Sequence, residues 1–292
     1  MSEPNPPLHS GHLESQVALA RAGEREALEA VIKSIQKDVY GLALRFLWHP
    51  QDAEDASQEI LIRVITGLAN FHGASSFRTW VYRVASNTLL TLRKQRMEKQ
   101  AMRFEDFAED LASGLENNPP QNVDNDSVLL LEEVKIGCTT AMLLCLEREQ
   151  RLAYILGEIL DLDQRQGSEI LEISATLYRK RLSRARSRIS SFMLGHCGLV
   201  DSENPCRCSK RVGPAIRQGR IDPHHKLFAA SRQQASRFPK VLAGIRQLEE
   251  TRRAAALFRS HPQAEMSEPF NQWLRQALRH KTLEADIMAG SE

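Results

Sequence analysis

The chain has 292 residues, 42% hydrophobic and 26% charged, ordinary proportions for a folded protein with room for two small domains and a linker. A net charge of +2 conceals an uneven spread: nine acids and no Lys or Arg lie between Phe104 and Val134, and six cations and no acid between Arg179 and Arg188. With no apolar run near 18 residues, no membrane-spanning helix is expected, and five cysteines in so long a chain do not suggest a disulfide framework. The start, "MSEPNPPLHSGHLESQ", lacks the charged-then-apolar pattern of a signal segment, so a cytoplasmic location is expected.

Residues 1–14 read as a Pro-rich, disordered leader. Leu28, Val31, Ile32, Ile35, Val39, Leu42 and Phe46 then recur at helical spacing, until Pro50 in "WHPQDAED" breaks the run. A second helix opens with Asp52, Glu54 and Asp55, where the N-terminal dipole favours acids, and continues through Ile60, Leu61, Val64, Ile65 and Leu68. After the loop "NFHGASS" comes a third helix, "SSFRTWVYRVASNTLLTLRKQRM" (75–97). It interleaves Phe77, Trp80 and Tyr82 with Arg78, Arg83, Arg93, Lys94 and Arg96. That mixture suits a nucleic-acid strand, with cations for phosphates and rings for unstacked bases. Equally, Phe77, Trp80, Val81 and Val84 would pack this helix on the first two.

With no alternating strand pattern, residues 15–103 form one helical domain and 104–126, ending in "ENNPPQNVDND", an acidic linker. Residues 127–194 form a second. Within it, "DLDQRQGSEILEISATLYRKRLSRARSRISSFM" reads as a short helix, a tight turn near Glu172–Ile173 and a basic helix capped by Ser174, a helix-turn-helix. The expected fold is all-α: two small helical domains joined by the acidic linker, plus a mainly helical C-terminal extension, 195–292.

The extension begins with "GHCGLVDSENPCRCSKR", where His196, Cys197, Cys206 and Cys208 offer four donors for zinc or another metal. The C-x8-C-x-C spacing is not that of a standard finger. His224 and His225 are further candidate ligands, and a thiol redox switch or a ligand-free loop fits as well. Cys138 and Cys145, seven apart on one helix face, read as core residues. Two amphipathic pieces follow, broken at His261-Pro262: Leu248, Ala255 and Phe258, then Phe270, Trp273, Leu274 and Leu278. They would cover the core domains, either as plain packing or as a regulatory strap.

"DAEDASQEILIRVITGLANFHGASSFRTWVYRVASNTLLTLRKQR" resembles the polymerase-binding and promoter-melting domain of bacterial RNA polymerase sigma factors of the extracytoplasmic-function (ECF) group. "ILGEILDLDQRQGSEILEISATLYRKRLSRAR" resembles that group's second domain, which reads the −35 element. Together the two resemblances span roughly residues 15–192. They imply a non-enzymatic initiation factor whose partners are core RNA polymerase, through the β′ coiled coil and the β subunit, promoter DNA in duplex and melted form, and an anti-sigma factor. Asp55, Gln58 and Glu59, on one helix face, match the family's polymerase-docking helix. The loop 71–79 matches the pocket for a flipped base of the −10 element. Phe71, His72, Ser76, Phe77, Arg78, Trp80, Arg83, Asn87, Arg93 and Lys94 are thereby assigned to melting and strand capture. Ser174, Thr176, Arg179, Lys180, Arg181 and Arg184 fall where the family contacts −35 DNA, with Arg suited to guanine O6 and N7. Glu172 stands where many members carry glycine, Gly167 at a usually apolar position, and Lys180 where a small residue is frequent. No cofactor is required, and no nucleophile–base pair or phosphate-binding glycine loop points to an enzyme. A stand-alone helix-turn-helix regulator, or a metal- or redox-sensing regulator acting through the tail, is the alternative.

Overall fold

A computed structural model of the chain describes residues 10–92, 103–113, 125–224, 226–229 and 231–279. Helix α1 (Ser10–Arg21) starts inside the stretch expected to be a disordered leader, and it packs on α2 (Arg25–Leu47). Val17 is the buried residue that anchors it. The whole apolar stripe of α2, from Val31 to Leu47, is buried. Trp48 ends the helix with a positive φ of 69°, and Pro50 opens α3 (Pro50–Gly67) at a position where its missing N–H costs nothing. Helix α4 (Phe77–Thr91) is capped by Ser76, whose Oγ accepts the Thr79 N–H at 3.2 Å. Together α2, α3 and α4 make the first helical unit.

The start of the expected linker is instead a helix, α5 (Phe104–Ser113). Glu105, Asp106 and Glu109 face outward, Asp110 is held by Arg211 and Arg220 at 2.8 and 2.6 Å, and Phe104, Phe107 and Leu111 are buried, with the two rings 5.1 and 5.6 Å from Phe192. The second unit comprises α6 (Asn125–Met142), α7 (Arg148–Tyr154) running on into a π turn over Ile155–Ile159, α8 (Gln164–Ile170) and α9 (Ala175–His196). The two units are not separate bodies. The guanidinium of Arg151, 3% exposed, donates to the carbonyls of Leu143 (3.0 Å), Leu146 (3.1 Å) and, across the junction, Phe46 (2.7 Å). One continuous apolar core runs from α2 to α9.

The extension supplies α10 (Cys208–Arg217), α11 (Arg232–Arg246), α12 (Glu250–Arg259) and α13 (Glu268–Arg279). Phe258 of α12 meets Tyr154 edge-on at 5.7 Å, within the second unit. Phe270 of α13 lies 6.3 Å from Tyr40, within the first, with Leu274 and Leu278 buried beside it. Between them, the Ser267 N–H and Oγ–H donate to the buried Glu54 at 2.7 and 2.8 Å. The tail is therefore a strap across both units. Leu248 stays 39% exposed and takes no part in the covering surface. Upstream, the buried Glu133 carboxylate accepts the N–H groups of Leu227, Phe228 and Ala229 at 2.7–2.9 Å, fixing the α10–α11 connection. Among the described residues there is no strand, only an isolated bridge between Cys197 and Cys206, and no helix is long and apolar enough to cross a membrane.

Candidate nucleic-acid interface

Helix α3 presents one face outward and one inward. Glu54 points in and is held by Ser267; Asp55, Gln58 and Glu59 lie on the outer face, Asp55 exposed and the other two half-buried, with exposed Ile62 one turn on. The Glu59 carboxylate takes Arg63 at 2.6 Å, a surface ion pair that a cationic partner could replace at little cost. An acidic face around an apolar residue suits a basic helical partner.

The loop before α4 and the helix itself divide differently from the expectation. Phe71 and Phe77 are buried, 5.5 Å apart edge to face, and Phe77 stacks on Trp80 at 5.7 Å. These rings pack α4 on α3, and Phe71 and Phe77 are not available to stack on bases. Trp80, half-buried, sits so close over Gly67 that a Cβ there would be 3.3 Å from its ring. His72 and Ser76 remain exposed, on a loop turned by Gly73 at φ 73°. Arg78 is engaged by Asp38 at 2.8 Å, and burial raises that carboxyl above its usual range even against the pull of Arg78 and Arg45. Arg93 and Lys94 lie outside the described residues. Farther along the same helix, Asn87 donates to the Glu172 carboxylate at 3.0 Å and Arg83 meets Glu169 at 3.3 Å. The polar face of α4 is thus contacted by α8 and the turn after it, with Asn87 remaining exposed.

That turn is built locally. Asp163 and Gln166 form a reciprocal capping box at the start of α8. Glu172 takes the left-handed conformation at φ 51°, and Ser174 caps α9 by accepting the Leu177 N–H at 3.2 Å. Gly167 is required here: a Cβ would lie 2.2 Å from Tyr178 Cζ, so its absence lets α9 close on α8. Thr176, Arg179, Lys180 and Arg184 are exposed along α9 and Arg181 half-exposed. Among the described residues these four cations make no ion pair, whereas Arg186, on the flank, binds Glu158 at 2.5 Å. A capped helix N-terminus followed by free, forked cations can bind phosphate and read base edges.

Residues 31–98 match Sigma-70 region 2, and residues 136–189 match Sigma-70, region 4. The chain belongs to the ECF group of RNA polymerase sigma factors. It is similar to RNA polymerase sigma-H factor of Pseudomonas aeruginosa, at 28% identity over 59% of this chain and 89% of the relative. Similarity extends to RNA polymerase sigma factor YlaC of Bacillus subtilis (26%, covering 57% and 95%) and to ECF RNA polymerase sigma-E factor of Escherichia coli (27%, covering 62% and 95%). The solved structure of CnrH in complex with the cytosolic domain of CnrY aligns with a TM-score of 0.43 at 19% identity, over 61% of this chain and 94% of that one.

As a sigma factor the protein acts in transcription initiation, and both matched regions carry the faces described above: α3 and α4 in region 2, the α8–α9 pair in region 4. The second match ends at residue 189, ahead of the cysteine segment. There His196 stacks on Phe192 at 4.6 Å, and exposed His224 donates its backbone N–H to Asp222; His225 lies outside the described residues. Among the described residues no group of three or more His, Cys, Asp or Glu is arranged to hold a metal ion as it stands, so His196, Cys197, Cys206 and Cys208 are not a ready-made ligand set. What sequence reading of the sigma factor missed are Glu169 and Glu172, which cover Arg83 and Asn87, and Arg151, which locks the two units. All act across long sequence separations, and no local pattern signals them.

Proposed function

We propose that the sigma factor docks on the β′ coiled coil of core RNA polymerase through Asp55, Gln58 and Glu59. In this reading Thr176, Arg179, Lys180 and Arg184 of α9 enter the −35 major groove, and Asn87, Arg83 and the 72–76 loop receive the melted non-template strand of the −10 element. Arg181, with less exposure, serves the phosphate backbone. Phe77 and Trp80 shape the floor of that loop from beneath.

One observation carries the reading: Asn87 and Arg83, the polar groups of α4 suited to a nucleic-acid strand, are occupied by the carboxylates of Glu172 and Glu169. Acceptor oxygens sit where a bound strand would bring its own. The free chain is in this respect engaged with itself, with the −35 cations open and the −10 polar groups Asn87 and Arg83 paired. Two partly exposed polar pairs of this kind are worth roughly 0.2–1 kcal/mol each, so polymerase binding, which must separate the units along the promoter, easily offsets them. Flipping a base from the duplex costs a few kcal/mol, and capture of the strand by the uncovered face supplies part of it.

The test is run-off transcription with bacterial core polymerase on a pool of genomic fragments. The full chain directs initiation at discrete sites. Asn87→Ala keeps polymerase binding and loses strand opening. A chain that shifts duplex DNA without binding core polymerase would be a stand-alone helix-turn-helix regulator, and the reading would fail.

A further inference from the structure

A cavity of about 200 Å³ lies where four parts of the chain meet. Trp48 at the end of α2, Phe107 of α5, Gly137 and Ala141 of α6, and Ala215 and Phe228 of the extension line it. Its walls are held in place by groups behind them. Trp48 Nε1–H donates to the Gly137 carbonyl at 2.9 Å, which sets the indole ring against α6. Phe228 is set by Glu133, 3% exposed, whose carboxylate takes the Phe228 N–H at 2.9 Å along with those of its two neighbours. The two rings stand 6.1 Å apart, tilted by 51°. The polar part of the lining is an ion-pair cluster. Arg211, 6% exposed, donates to Asp110 Oδ2 at 2.8 Å, and Arg220 grips both oxygens of the same carboxylate at 2.6 and 2.8 Å.

We propose that this cavity binds a small, neutral aromatic molecule, about one fused ring pair in size, which joins α2, α5, α6 and the extension through a shared occupant. The site stands apart from the polymerase and promoter faces and does not depend on how those faces act.

Size, lining and charge each narrow the class of ligand. An apolar protein cavity of about 150 Å³ takes up benzene. One of about 200 Å³ has room for a second fused ring. Fixed aromatic walls favour a flat aromatic occupant, which can meet Trp48 and Phe228 by face or edge, and Cys138 beside them behaves as a small hydrophobe. Because these walls are already ordered by hydrogen bonds, little conformational freedom is lost on binding. The charges of the lining cancel, Arg211 and Arg220 against Asp110 and Glu133, and both carboxylates already accept hydrogen bonds from the protein. A charged ligand would therefore lose its water without gaining a partner, whereas a neutral ring loses nothing of the kind. Water in the cavity would likewise find few open partners, while an aromatic molecule makes dispersion contacts along the whole wall. Apolar lining with a few fixed polar groups, at a junction between units, is the usual form of a small-molecule site. The molecule touches helices of both matched regions, the helix between them and the extension, so its binding favours the joined arrangement of all four.

The test titrates indole, as the probe, into the full isotope-labelled chain and follows the tryptophan Nε1–H resonances by NMR. Of the three tryptophans, Trp48, Trp80 and Trp273, Trp48 is the one that lines the cavity. Its resonance, assigned with Trp48→Phe, is expected to shift and saturate while the other two stay in place. A dissociation constant on the order of 0.1–1 mM suits so few apolar atoms. The melting temperature should rise with indole concentration, as it must for a ligand held by the folded form. Ala141→Leu fills the cavity from α6 and Ala215→Leu from α10, and each is expected to weaken indole binding about tenfold or more. Circular dichroism establishes that a variant is folded, and either one that folds decides the point. An indole carboxylate, the same rings bearing a negative charge, should bind about tenfold more weakly than indole. A Trp48 resonance unmoved at about 10 mM indole overturns the proposal. So does a shift that survives in a folded Leu variant, or a preference for the anion over the neutral ring.

Discussion

Asn87 and Arg83 are each engaged by an acid about eighty-five residues away, and this long-range pairing sets what they can do in the free chain. Replacing both acids, Glu169→Gln with Glu172→Gln, removes two partly exposed charge pairs. Binding of a single-stranded −10 oligonucleotide by the free protein is then expected to tighten about two- to tenfold, readable by fluorescence anisotropy. Unchanged binding would mean that the contact does not hold the face shut. Arg151 belongs to a different regime. Its guanidinium satisfies buried carbonyls from both units and lies over the Phe46 ring at 5.0 Å, so Arg151→Ala strands several acceptors at once. A loss of about 3–5 kcal/mol in unfolding free energy by denaturant titration is the expected result. Neither role could be seen in the sequence, because an Arg among Glu and Gln in "LEREQRLAY" reads as a solvated helix face.

Among the elements, the α8–α9 pair depends on one missing side chain. Gly167→Ala would press a methyl group into Tyr178, and overpacking of this kind costs about 1–3 kcal/mol. Weaker −35 duplex binding should accompany it, and the double variant Gly167→Ala/Tyr178→Leu should recover part of the loss. The helices themselves were largely legible: apolar residues three and four apart marked α2 and α3, Pro50 marked their boundary, and Ser174 marked the start of α9. Phe104, Phe107 and Leu111 carry the same spacing, yet the surrounding acids and the Asn-Pro tract hid α5 inside a linker. On α4 the aromatic–basic mixture had two meanings, and burial separates them: the rings of Phe71 and Phe77 belong to the core, and the polar groups to the surface. The break between α12 and α13 also carries a pH response. Burial, with Lys135 and Arg45 nearby, holds the His261 pKa well below its ordinary value, and its Nε2 sits 3.0 Å from Thr139 Oγ1. An undocked His261 protonates near pH 6.5, so the released state binds more protons below that point. Tail docking is therefore at full strength above about pH 6.5 and weakens as the pH falls. Limited proteolysis between α12 and α13 is expected to accelerate from about pH 7.5 to about pH 5.5, and His261→Asn to flatten that dependence.

At the scale of the whole molecule, the tail, the region 4 helices and the region 2 helices share one core, with α12 on the second unit and α13 on the first. Sequence patterns separated these parts, because each is amphipathic in its own right, but contacts across the chain cannot be read from local periodicity. In the proposed reading, a sigma factor extends over the distance between its two promoter elements, and this closed arrangement is the resting form that polymerase opens. The central claim is that opening delivers the α4 face to a melted strand. Permanganate probing of thymines on a promoter found by run-off transcription tests it most directly. Reactive thymines in the −10 region should appear only with core polymerase and the full chain together, and should disappear with Asn87→Ala while the polymerase complex still forms. Polymerase-independent binding of duplex DNA with no reactive thymines, or opening undiminished by Asn87→Ala, would contradict the account.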